Sequence, residues 1–430
     1  LLPYFWCYQL FAFLGCLVLL IIPTSLMGAT LPVLCRFYVT HLDHGGTRTG
    51  RLYGLNTVGA ALGAILCGFL LINWLGVWAT LFVAAGINFL VGASCILLSQ
   101  QKEVFSHRAH TLNHRKMSSK KIQHPESASS VNDRDKTMTL ALWIFAVSGF
   151  CAMAYEVFWA RLLGLIIGPT SYSFTLVVST FIIGLALGSI VFGWVGDRTK
   201  RVFFMLALTQ LCASGLALAV SQFLGNSQFF FSKLIHTFRD DFATMMLVQS
   251  IVLFAILLGP TIFLGATFPL VNRIYSRSIS VLGNTIGTAY AINTIGAILG
   301  SFAAGFLLIP LAGKENGLRL VIVLQFVMAV MALLIQGGFG RQKKNYQWLL
   351  GVLAVVLGII VISNFPSWKP SLLSRGWYRD LQDIENELDR TSWLGALWRG
   401  PALLTRERRG LEVVFYGDGI GGFTTCSSTG

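Results

Sequence analysis

Pro23-Thr24-Ser25-Leu26-Met27-Gly28-Ala29-Thr30-Leu31-Pro32 returns 237 residues later as Pro260-Thr261-Ile262-Phe263-Leu264-Gly265-Ala266-Thr267-Phe268-Pro269. At the same offset, without a gap, Arg36 meets Arg273 and Tyr53 meets Tyr290. Asn56-Thr57 meets Asn293-Thr294, and Gly68 to Ile72 meets Gly305 to Ile309. Residues 27–76 and 264–313 share 21 identities in 50 positions, far beyond chance. The chain therefore carries an internal duplication. Its surroundings are apolar: 55% of residues are hydrophobic and only 12% charged, against about 25% charged in a soluble domain. Lipid is the expected solvent for most of the chain. The eight cysteines are scattered without metal or redox spacing and read as small apolar fillers. The formal charge of +14 sits between apolar runs, where it sets topology, so nucleic acid is not an expected partner.

A span needs roughly 20 apolar residues. Ten stretches qualify, at 9–33, 52–72, 77–99, 139–166, 171–195, 202–224, 243–268, 286–309, 317–336 and 347–364. The repeat copies begin six crossings apart, so both point the same way. The fold expected is an all-α polytopic membrane protein with about ten transmembrane helices, built as a parallel repeat of six-helix halves. That is the arrangement of the major facilitator superfamily. Residues 1–99 supply the last three helices of the first half, which is incomplete. A basic, polar central loop follows at 100–138, then a complete second half at 139–336, an extra span at 347–364, and a short soluble α/β tail at 365–430. Projecting the second half back by the offset predicts about 100 residues and three helices ahead of Leu1. Lys and Arg crowd the loops at 36–51, 100–138, 196–201, 271–285 and 337–346, nineteen in all. The alternate loops hold four. The basic loops are expected to be cytoplasmic, the membrane a cell inner (plasma) membrane, and the tail non-cytoplasmic.

Several motifs carry chemistry. Gly193-Trp194-Val195-Gly196-Asp197-Arg198-Thr199-Lys200-Arg201 fits G-x-x-x-D-R-x-x-R between two spans. It resembles the signature loop of facilitator transporters, in which the Asp braces a neighbouring helix end. Gly193, Asp197, Arg198 and Arg201 are its key positions. Asn56 and Asn293 lie inside apolar helices with glycines at 59, 63 and 68, or 296, 300 and 305. These read as close-packing stripes with an interhelical hydrogen bond, or else as cavity lining. Glu156 and Arg161 are ionisable groups within a span, a default sign of a functional interior. At 100° per residue they stand about 140° apart on the helix, too far to pair. Glu156 is the better cavity candidate, with a structural partner on another helix as the other reading. The proline pairs Pro23/Pro32 and Pro260/Pro269 predict kinks, with Thr30 and Thr267 bonding back to the freed backbone. His107, His110 and His114 have helical ligand spacing, but Glu103 is the one carboxylate nearby, no thiol is close and the loop is basic, so no metal is expected. Gly417-Asp418-Gly419-Ile420-Gly421-Gly422 mimics a dinucleotide fingerprint. β-favouring residues follow it, and a hairpin turn is expected instead.

The G-A-T-x-P segments, the Y-x-x-N-T-x-G-A-x-x-G helices and the stretch Glu156 to Gly168 followed by Ser171-Tyr172-Ser173-Phe174 resemble the membrane module of bacterial spermidine-synthase-like proteins. Trp368-Lys369-Pro370 and Glu412 to Gly419 resemble that family's linker and first β-hairpin. The resemblance implies a facilitator-like bundle fused to an aminopropyltransferase-like domain, with decarboxylated S-adenosylmethionine as the cofactor of a full-length synthase-like protein. No catalytic residue and no cofactor site is expected within this chain. Two other readings stand beside it: a secondary transporter of a small organic or polyamine-like solute, and a non-catalytic membrane scaffold. The lipid bilayer is a partner in all three.

Overall fold

The computed structural model describes residues 2–38, 45–100, 128–275, 282–338, 384–397, 411–419 and 422–429, with isolated positions between 352 and 381. The central loop with its histidines and most of the expected span at 347–364 lie outside the described residues. The chain divides into two compact units, 1–61 with 138–430, and 62–137.

The larger unit holds α1 (Leu2–Tyr38), most of α2 (Gly45–Ile65) and α4 (Ala128–Ile166), α5 (Ser171–Arg198), α6 (Val202–Gly225) and a short α7 (Gln228–Thr237). Then come α8 (Phe242–Gly265), α9 (Thr267–Tyr275), α10 (Leu282–Phe302), α11 (Ile309–Gly338) and α12 (Glu385–Arg390). An antiparallel hairpin of β1 (Leu411–Gly419) and β2 (Gly422–Thr429) completes it. The smaller unit holds α3 (Ile72–Gln100) and the π-helical turn Leu66–Leu71 before it. Lipid offers a spanning backbone no water, so outside a closed β-barrel every peptide group must be satisfied within its own segment, as a helix does.

Seven continuous stretches are long and apolar enough to cross a membrane. They contain nine of the ten expected spans. Two pairs, in Thr47–Ser99 and Ile286–Leu334, are joined with no stretch of coil between them, and each is interrupted at a glycine inside the expected loop. At each junction a six-residue π segment, Leu66–Leu71 or Ala303–Leu308, is followed by a sharp bend at glycine. Gly76 has φ 75° and ψ 172°, and Gly313 has φ 76° and ψ 169°. A side chain would make that backbone conformation prohibitive, which is why glycine stands there in both copies. The two π segments, the two bends and the bounds of α2 and α10 all differ by the same 237 residues. The duplication thus extends to backbone geometry.

The proline motif differs between copies. α1 runs unbroken through Pro23 and Pro32, whereas the second copy breaks at Ala266, between α8 and α9. Thr30 and Thr267 do bond back, but to Met27 O (2.7 Å) and Leu264 O (2.8 Å). These lie one residue before the carbonyls that Pro32 and Pro269 leave free. A threonine hydroxyl reaches the carbonyl three or four residues back, and here it takes the nearer one.

Helices of the larger unit approach closely at small residues, as packing in lipid requires. An added Cβ at Gly296 or Gly300 of α10 would fall 2.0–2.1 Å from the carbonyl oxygens of Ala146 or Phe150 on α4. Gly184 and Gly188 of α5 meet Thr261 and Ile262 of α8 as tightly. Around these seams Ile144, Phe145, Leu206, Phe268, Leu270 and Ile286 are buried in one cluster.

At the end of the bundle opposite the Asp197 turn, α7 packs against residues 384–397. Phe229 is buried with Ile384, Leu388 and Ala396. The Lys233 ammonium donates to Leu388 O and sits 5.3 Å from the Trp393 ring. Glu385 accepts from Arg239 at 2.9 Å and lies 3.1 Å from His236 Nε2. Hydrogen bonding to His236 first, then to Arg239, holds the Glu385 carboxyl below its ordinary value of 4.5. A depressed native value stabilises this contact above the ordinary value, and the stabilisation is lost as pH falls through the native one. A nitroxide on Asn386→Cys should therefore become more mobile on acidification below about pH 4.5. Glu385→Gln should give the mobile spectrum at neutral pH. Unchanged line shapes across that range would refute the role of the Glu385 carboxylate.

Candidate functional site

A chain of buried polar side chains crosses the larger unit between helices. Tyr155 on α4 donates its hydroxyl to Gln325 Oε1 on α11 at 2.7 Å. Gln325 donates through Nε2 to Gln210 Oε1 on α6 at 3.0 Å. Gln210 in turn donates to Thr267 Oγ1 on α9 at 2.8 Å. The single Thr267 proton goes to Leu264 O, so the neighbouring Ser148 hydroxyl, 3.2 Å away, is the donor of its pair. Each interhelical link of this kind contributes about 0.6 to 2 kcal/mol in a membrane. Together they fasten the α8–α9 break to three other helices.

Thr267 and Ser148 also line a cavity of about 140 Å³. Tyr53, Phe268, Tyr290 and Asn293 stand around it. The Tyr53 and Phe268 rings stack at 4.5 Å and 28°, and Tyr290 meets Phe268 edge-on at 6.3 Å. No Lys, Arg, Asp or Glu is among its lining residues. Tyr53 and Tyr290 are repeat mates, so one cavity is walled by the same position of both copies.

The expected site residues take different places. Asn293 is half-buried, lines the cavity, and presses its amide against the backbone of Gly149 on α4. Its repeat mate Asn56 is exposed. Glu156 is half-buried and does not line the cavity, while Arg161 is exposed. Pro260 and Pro269 are buried, Pro32 is half-buried and Pro23 exposed.

In the signature loop, the Asp197 side chain is 4% exposed. Its Oδ2 accepts from the Thr47 backbone N–H at 2.6 Å, in the first turn of α2, and its Oδ1 lies 3.7 Å from Arg273 Nε. The first N–H groups of a helix lack partners within the helix and carry the positive end of its dipole, so a carboxylate there satisfies both. Gly193 lets α2 come close: its Cα lies 3.3 Å from where a Cβ of Gly50 would be. Arg198 folds back over the Trp194 ring at 4.0 Å and donates to Trp194 O, and Arg201 is exposed. The polar chain through Gln210, Gln325 and Tyr155 escaped the motif reading. Its signal was two glutamines inside otherwise apolar spans.

A sequence profile of the Major Facilitator Superfamily matches residues 1–301. The chain belongs to that superfamily. No curated protein and no solved structure matches it. It is therefore a multi-pass membrane protein of the facilitator type. Among the described residues no group of three or more His, Cys, Asp or Glu could hold a metal ion.

Proposed function

We propose that the chain belongs to a facilitator-type secondary transporter of a small organic solute, and that the cavity beside Thr267 holds the solute. The observation that carries this reading is that Tyr53 and Tyr290, equivalent positions of the two repeat copies, line the same cavity. A site shared by two like copies is where rocking of one against the other changes access. The helix break at Ala266 adjoins it, and Thr267 belongs to both the cavity wall and the polar chain. Family membership favours transport over the synthase-fusion reading, which rests on resemblance alone, and over a passive scaffold.

Counterflow in proteoliposomes with a panel of amines, amino acids and sugars tests this. Ser148→Leu fills the cavity and should lower uptake of the accepted solute at least tenfold. That corresponds to about 1.4 kcal/mol or more. Ser148→Ala, which opens space, should lower it less. Equal uptake by Ser148→Leu and parent protein would remove the cavity from the transport path.

A further inference from the structure

Resting on the transport reading of the same cavity, we infer that its solute is a small organic cation with an apolar body, and that Glu156 is its counter-charge. Three observations converge. First, the cavity wall is aromatic, with Tyr53, Phe145, Phe268 and Tyr290 contributing rings and no basic residue present. The faces of such rings attract cations.

Second, Glu156 continues the stripe by which α4 forms that wall. Ser148, Gly149, Ala152 and Met153 line the cavity. Glu156 follows at the three- and four-residue spacing that keeps side chains on one helix face. It stands one turn, about 5 Å, further along the axis. It is half-buried, as Ala152 and Met153 are, while Tyr155 and Trp159 on the adjacent face are fully buried.

Third, no described cation pairs with Glu156, although it sits in the middle of an apolar span. In hydrocarbon a carboxyl group is stable either protonated or beside a counter-charge, and an organic cation that enters an aromatic cavity gains from a carboxylate near it. Each stabilises the other. Size limits the solute further. A cavity of about 150 Å³ accommodates benzene, so 140 Å³ suits a body of about six or seven heavy atoms.

Choline and its uncharged isostere 3,3-dimethylbutan-1-ol have the same number of heavy atoms and nearly the same shape, so they isolate the charge. Binding of each to the whole chain in nanodiscs is measured by quenching of intrinsic fluorescence. The parent protein should bind choline at least tenfold more tightly than the alcohol. Glu156→Gln should bring the ratio within about twofold of unity, and Glu156→Asp should retain part of it. Tyr290→Leu, which removes a ring face and leaves Glu156 in place, should weaken choline more than the alcohol. A ratio near one in the parent, binding of neither compound, or an unchanged ratio in Glu156→Gln overturns the inference. Flux separates this from the transport reading. Choline that binds selectively but does not cross proteoliposome membranes defeats transport and leaves the counter-charge standing. Equal flux of both compounds does the reverse.

Discussion

Asp197→Ala is expected to lower stability by about 3 kcal/mol, because it removes a buried carboxylate from charged and backbone partners together. The Asp197 side chain is 4% exposed and receives the Thr47 N–H at 2.6 Å. Without it, that amide returns to being an unsatisfied donor in the first turn of α2, with the helix dipole uncompensated. The Arg273 contact adds less, since Arg273 is 30% exposed and 3.7 Å away. Asp197→Asn keeps an oxygen for Thr47 and gives up only the charge, so it should cost about 1 kcal/mol. Thermal unfolding of the purified protein in one detergent ranks the three. Transport should fall in the same order, because the contact joins the first repeat copy to the second. Identical melting of Asp197→Ala and parent protein would show that the α2 terminus is held by something else.

Gly188→Leu should be at least as damaging. A Cβ at Gly188 would stand 1.9 Å from Ile262 O and 2.8 Å from its carbonyl carbon. Those are backbone atoms of α8 that cannot rotate aside. The α5–α8 seam must open, and Gly265 and Gly184 in the same seam would lose contact with Leu185 and Thr261. Overpacking of this kind costs about 3 kcal/mol where the fold survives. Gly215→Ala in α6 is the control, for nothing lies within 4 Å of its Cβ position. There alanine should stabilise by about 0.5 to 1 kcal/mol, through helix propensity alone. Melting temperatures and the fraction of monodisperse protein after extraction measure both. A Gly188→Leu protein as stable as Gly215→Ala would mean that the α5–α8 seam is not closed in the membrane.

Much of the architecture was legible in the residues. Span positions, the parallel repeat and the glycine punctuation follow from local composition, because lipid forces each apolar run of sufficient length into helix. The family followed from the same features, together with the Asp197 loop. The structure adds matching bends at the repeat mates Gly76 and Gly313, where glycine alone readily adopts the backbone. The proline motif is where the expectation fails: the residues predict kinks in both copies, and only the second breaks its helix.

The sequence by itself therefore determined which runs are long and apolar enough to cross a membrane, that their pattern recurs, and the superfamily, though not the synthase fusion that the resemblance implied. Tertiary structure alone decided what those crossings enclose. Asn56 and Asn293 are the same letter in the same motif, yet Asn56 is exposed and Asn293 lines the cavity against Gly149. Gln210 meets Gln325 across 115 residues, and Tyr155 meets Gln325 across 170. Helix formation in lipid is a local transaction between a segment and its solvent. A cavity or a polar chain depends on which faces of distant helices come together, and no local pattern encodes that contact.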